Sequence, residues 1–187
     1  MITQYFLDMA EQFTNPVTAI AQILGFIPMF MSFFIFYFNN RFVSITIKAV
    51  SDFLSSVHFL LLGQATGCAI CSVNALRDVI FAQKGKYKWA SGVWMPLIFG
   101  VFTVGSSILG WTGPESFLPM IGSCFVVMGY WCQDMSRMRK INFVGIFLWF
   151  IYGITTLSVS TIVGNFLGII SIILTEIRVR KHKEATA

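Results

Sequence analysis

Charge is the first thing this chain lacks. Only 11% of its 187 residues are Asp, Glu, Lys or Arg, against roughly 25% in a soluble domain. Hydrophobic residues make up 56% of it, 20 residues are Phe, and the mean hydropathy is +0.76. Folded in water, such a chain would expose large apolar patches. A soluble domain is therefore not expected. Reactive groups are scarce too. There are 2 His, one of them in the tail. Gly-rich phosphate loops, HExxH and Gly-x-Ser-x-Gly are missing. That leaves little for general acid–base work, so neither an enzyme nor a cofactor is expected. Cys68 and Cys71 form a C-x-x-C, but no second ligand pair for zinc follows. Helix packing is the plain reading of these two, and of Cys124 and Cys132. If the second and third helices form a tight hairpin, His58 could approach the C-x-x-C. Residues 1–15 lack a basic n-region and a small-residue cleavage site, so they are not a signal peptide. They look like a short amphipathic lead.

What the chain has is long apolar runs. Crossing ~30 Å of hydrocarbon takes ~20 helical residues. Seven segments qualify as candidates: 16–38, 44–63, 65–83, 92–110, 115–133, 141–156 and 158–178. The small-residue tracts GQATG (63–67) and ITTLSVST (154–161) read as tight turns. Asn15 and Pro16 fit an N-cap and first-turn proline for the first helix. In a seven-helix arrangement all 13 Lys and Arg fall on one side. Arg41 and Lys48 flank the first connection; Arg77, Lys84, Lys86 and Lys88 the third; Arg137, Arg139 and Lys140 the fifth. Arg178, Arg180, Lys181 and Lys183 lie in the tail. The opposite side carries Asp8, Glu11 and Glu115. The positive-inside rule then puts the N-terminus outside and the C-terminus in the cytoplasm. Topology thus accounts for the net charge of +5, and nucleic-acid binding by the tail is not expected.

The chain also repeats itself. FIPMFMSFF (26–34) lies over FLPMIGSCF (117–125) at an offset of 91 residues. Without a gap, Lys48 falls on Arg139, Phe59 on Phe150 and Asn74 on Asn165. The rarer residues, Pro and Asn, match in register, which composition alone would not produce. The repeat predicts helices one to three as one unit and five to seven as another, with helix four between. One extra crossing gives the two units the same orientation, a parallel repeat about the membrane normal.

A three–one–three arrangement with a proline in the first helix of each unit resembles the PQ-loop superfamily. That group includes the SWEET sugar facilitators and vitamin transporters of the nicotinamide riboside type. The run SDFLSSVHFLLLGQATGCAICSVNALRDV (51–79) is similar to the YgjV-type bacterial inner-membrane proteins, a family of unknown function near that superfamily. HFLLLG (58–63), NALR (74–77) and MSRMRKINFVGIFLWFIYG (135–153) carry the likeness. Two departures stand out. Met follows both membrane prolines, so no Pro-Gln dipeptide occurs. Helices two and six have no proline, so a four-proline gate is not carried over.

The residues that stand out are few. Pro28 and Pro119 each remove a backbone hydrogen bond and are candidate hinges; a static kink is the plain alternative. Asn74 and Asn165 are the leading binding candidates. An amide in hydrocarbon needs partners and offers two donors and two acceptors. The resemblance implies an asparagine pair facing substrate on these two helices; the plain alternative is an interhelical hydrogen bond. His58 and Trp149 match in the repeat and are candidate walls of a solute pocket, against a packing histidine and an interfacial tryptophan. Asp52 follows Lys48 by four residues and reads as its ion-pair partner, with a coupling-ion site as the alternative. Arg77 and Asp78 read as anchors at the inner end of helix three, with Arg77 snorkelling.

The expected fold is an all-α membrane protein of seven transmembrane helices, two parallel three-helix repeats joined by a linker helix. A lead spans 1–15, the first repeat 16–83, a basic loop and linker helix 84–110, the second repeat 111–179, and a basic tail 180–187. The expected function is passage of a small polar solute across a bacterial inner membrane. The alternative is a receptor or assembly partner that transports nothing. The expected partners are the lipid bilayer and the solute, with a homo-oligomer left open. Sidedness is directly testable in a chain whose own cysteines are replaced by alanine. A cysteine at position 86 should react with an impermeant maleimide only in inside-out vesicles, and one at position 115 only in intact spheroplasts. Labelling of both from one side would overturn the assignment.

Overall fold

The computed structural model describes residues 16–61, 65–109, 111, 113–155 and 159–186. Seven α-helices occupy them: α1 (Pro16–Tyr37), α2 (Arg41–Leu61), α3 (Ala65–Ala82), α4 (Trp94–Leu109), α5 (Phe117–Trp131), α6 (Met135–Thr155) and α7 (Val159–Thr186). Short 3₁₀ turns at Trp89–Ser91 and Pro114–Ser116 precede α4 and α5. The described residues contain no β-strand, only an isolated bridge between Lys84 and Tyr87. The lead at 1–15, residues 63–64 of the first small-residue turn and 156–158 of the second lie outside the described residues.

The helices follow the order of the apolar runs, but their starts differ for a local reason. The Asn40 side chain accepts the Val43 N–H at 3.2 Å, and the Asp134 side chain accepts the Arg137 N–H at 2.8 Å. Both are N-caps. They start α2 and α6 earlier than apolar residues alone suggest, and they draw Arg41, Arg137, Arg139 and Lys140 into helix. Pro16 opens α1, where its missing N–H costs nothing. Among the described residues three helices are long and apolar enough to cross a membrane by length and composition: Ala19–Tyr37, Arg41–Leu61 and Ile162–His182. At 16 and 15 residues, α4 and α5 fall short of the ~20 that a full crossing needs. The outer surface is apolar nonetheless. Leu97 and Val101 on α4 are 68% and 74% exposed, a surface suited to lipid tails rather than water.

Six helices contact one another in ring order: α1, α2, α3, α5, α6, α7 and back to α1. The α3–α5 contact is the sparse one, and α4 packs outside on α5. Packing is uneven along the ring. The fully buried side chains Phe36, Ile45, Phe81, Tyr130 and Met138 all lie where α1, α3 and α5 end and α2 and α6 begin. This is the end that carries the basic residues.

Those basic residues are structural. The last carbonyls of a helix have no intrahelical partner and need donors. Arg41 Nε donates to the Cys132 carbonyl at 2.7 Å, and its Nη2 donates to the Phe81 and Tyr130 carbonyls, both at 2.9 Å. One guanidinium thus closes the C-terminal ends of α3 and α5. Lys84 Nζ donates to the Trp131 carbonyl at 2.7 Å and stands 3.5 Å from the centre of that indole. Burial and the neighbouring Arg41 guanidinium hold this ammonium below the usual lysine range. Arg178 donates to the Tyr37 carbonyl and lies over the Tyr37 ring, joining α7 to the end of α1. Arg139, 1% exposed, bonds Glu176 at 2.7 Å and Asn39 at 3.0 Å.

Elsewhere the helices rely on close approach. A Cβ on Gly145 would meet the Gly122 carbonyl oxygen at 2.7 Å, and one on Gly122 would meet the Gly145 carbonyl oxygen at 2.9 Å. Backbone against backbone cannot yield as a side chain can, and small residues are what permit such crossings in membranes. Gly145→Val should therefore lower the stability of the detergent-solubilised protein by ~1–3 kcal/mol. Gly105→Val, where a Cβ meets nothing within 4 Å, should change it little. Equal melting shifts for the two variants would refute the crossing.

Candidate functional site

At the centre of the ring lies a cavity of about 670 Å³ to which all seven helices contribute. Pro28, Pro119, His58, Trp149, Asn74 and Asn165 all line it. So six residues singled out in the sequence, three from each half of the chain, meet around one space. A smaller cavity of about 160 Å³ lies beside it, against α3 and α4, and the two share Ile70, Asn74, Thr103 and Ser106.

The two rings are held in parallel ways. His58 on α2 bonds the Ala21 carbonyl of α1 through Nδ1 at 2.6 Å. A carbonyl only accepts, so Nδ1 carries the proton here. Gly25 makes room for the ring, since a Cβ there would meet His58 Cε1 at 2.7 Å. Trp149 on α6 donates from Nε1 to Ser123 of α5 at 3.1 Å. Each ring is therefore tied to the helix before its own. His58 is directed at α1, not at Cys68 and Cys71. Cys68 instead has Ser56 Oγ 3.3 Å from its sulfur. Among the described residues no group of three or more His, Cys, Asp or Glu could hold a metal ion.

The two prolines differ in setting. Pro28 is buried in the middle of α1, and the helix runs unbroken through it. Its carbonyl accepts from Ser32 Oγ at 3.1 Å. Pro119 sits in the first turn of α5. The N–H groups of a first turn have no intrahelical partner anyway, so Pro119 removes no helical bond. It marks a helix start, and Pro28 alone interrupts a ladder.

The floor of the cavity is charged. Lys48 and Asp52 on α2 form the ion pair that their spacing predicts. Arg77 corrects the sequence reading. It is no snorkelling anchor but a buried residue, 3% exposed. Its Nε donates to Asp78 Oδ1 at 2.7 Å and its Nη1 to Asn74 Oδ1 at 3.1 Å. Its Nη2 stands 3.8 Å from Asp52 Oδ2. The guanidinium turns inward because Asp52 and Asp78 offer countercharge there, and a buried charge needs a partner more than a surface one does. Asn74 spends an acceptor on this arginine one turn away, not on a neighbouring helix. Asp52 Oδ2 and Asp78 Oδ2 are buried with no hydrogen-bond donor.

Tyr130 was not legible in the sequence. Its ring lies 5.9 Å from the Arg77 guanidinium carbon and stacks on Phe36 with centroids 6.3 Å apart. Phe36 and Tyr130 close the cavity toward the packed end. The only available signal was an adjacent Arg–Asp pair in an apolar span, which demands buried partners without naming them.

Removing one member of such a cluster leaves the others uncompensated. Arg77→Gln should destabilise the protein by ~3–5 kcal/mol in denaturant titrations. Arg77→Met combined with Asp78→Leu should recover much of that loss. If the single variant is as stable as the parent, the cluster contributes nothing to the fold.

No curated protein and no solved structure matches the chain. One family model does, over residues 19–183, and its description is "Bacterial inner membrane protein". Long apolar helices with an apolar outer surface fit that description. The chain belongs to the Imp-YgjV family of bacterial inner membrane proteins.

Proposed function

We propose that this integral membrane protein carries a small polar solute across the inner membrane through the central cavity. One observation carries the reading: Asn74 and Asn165, Pro28 and Pro119, and His58 and Trp149 are three pairs at one sequence offset, and all six line the same space. A protein that only held partners together would be served by a packed axis. Here the middle of the ring is a cavity of about 670 Å³, within the range of small-molecule sites.

On this reading the chain is two three-helix units in parallel, with α4 as the linker and the solute between them. The ring order supports this, with α2 between α1 and α3 and α6 between α5 and α7. So do the matching ties of His58 to α1 and Trp149 to α5. The basic, closed end faces the cytoplasm by the positive-inside rule, which makes this conformation outward-facing. The interior proline, Pro28, is the hinge on which the first unit tilts. No enzymatic step enters the mechanism.

The test is ligand-induced thermal stabilisation of the purified protein against sugars, nucleosides, B vitamins and amino acids. A ligand at a hundred times its dissociation constant should add ~2.7 kcal/mol to the native state. The gain should disappear in Asn74→Ala and Asn165→Ala. A stabilising ligand that survives both variants would move the site away from the cavity. No stabilisation by any class, with both variants folded, would count against solute binding.

A further inference from the structure

The charges at the cavity floor restrict what can bind there. Lys48 and Arg77 are two cations, and Asp52 and Asp78 are two carboxylates. The cluster is neutral as it stands, and a fully charged ligand would unbalance it in a buried place. Its capacity for further hydrogen bonds is nonetheless unfilled. Lys48 has three N–H donors and gives one to Asp52. Asp52 Oδ2 receives none, and Arg77 at 3.8 Å is beyond hydrogen-bond reach of it.

We infer that the floor is a binding site for a zwitterion, a molecule that joins a primary ammonium to a nearby acid group. This rests on the solute reading and narrows it. The ammonium donates to the Asp52 carboxylate, whose Oδ2 lacks a donor and is covered by its neighbours until the side chain shifts toward the cavity. The acid group accepts from the remaining Lys48 donors and from the Asn74 amide on the facing helix. The buried charge still sums to zero. Above the floor, apolar and aromatic residues such as Met29, Phe59, Ile70 and Trp149 alternate with hydroxyl residues such as Ser55, Ser106 and Ser123. The apolar part suits an apolar or aromatic side chain, so an α-amino acid of that kind can use both floor and wall. The same headgroup chemistry occurs in phosphatidylethanolamine.

The experiment measures melting of the protein in a detergent free of aminophospholipid. L-phenylalanine and L-leucine are the free zwitterions. N-acetyl-L-phenylalanine lacks the ammonium, L-phenylalanine methyl ester lacks the acid, and glucose lacks both. Phosphatidylethanolamine is compared with phosphatidylglycerol. Stabilisation by the free zwitterions but by neither blocked form, weakened at least tenfold in apparent affinity by Asp52→Asn, supports the site. Stabilisation by phosphatidylethanolamine and not phosphatidylglycerol supports it with the lipid as the source. Glucose acting alone would leave the solute reading standing and overturn this one. No effect from any probe would overturn this inference, and the solute reading would then stand or fall on the wider set that includes nucleosides and vitamins. The two blocked forms keep the test valid should Asp52→Asn fail to fold.

Discussion

The structure depends on how helix ends are satisfied. Arg41 donates to carbonyls of Phe81, Tyr130 and Cys132. That contact pins the start of α2 to the ends of α3 and α5. Without it, carbonyls at two helix ends would need other donors. Lys84 on the Trp131 carbonyl and Arg178 on the Tyr37 carbonyl work the same way. These basic side chains do more than interact with lipid heads. They act as staples for the ends of α1, α3 and α5.

Stapling one end determines what the other can be. Phe36, Phe81, Tyr130 and Met138 fill the stapled end. Farther along, the same helices leave a cavity between them, with small and hydroxyl residues on its wall. Its floor is a layer of compensated charge, and the aromatic stack of Phe36 on Tyr130 lies against that layer. A charge layer costs desolvation, and hydrophobic residues of the same size would often hold a fold as well or better. On the solute reading proposed above, its presence at the floor is what would link the packing of this bundle to ligand chemistry.

The helices were legible because apolar runs and a one-sided charge pattern mark them directly. The paired positions around the cavity were legible through the offset of 91 residues alone. The caps were available in principle: Asn40 and Asp134 precede α2 and α6, but a count of apolar residues passes over them. What Arg41 bonds could not be read, because every residue carries a carbonyl and sequence does not say which ones converge. Arg77 failed for a related reason. A long cationic side chain near a helix end has two stable options, outward to lipid heads or inward to carboxylates. Only the placement of Asp52 on the next helix decides between them. Pro119 was visible, but whether it kinks or starts a helix depended on where α5 begins.

The contact between α1 and α7 carries a consequence in time. These helices are the first and last of the described chain, and Arg178 on one closes the end of the other. A ribosome extending the chain at ~5–20 residues per second takes on the order of ten seconds to go from Tyr37 to Val159. For that interval α1 has no α7 beside it, and the Tyr37 carbonyl lacks the Arg178 donor. The ring is thus a structure that synthesis leaves open until α7 is made, and α1 must find temporary company in the membrane while the rest arrives.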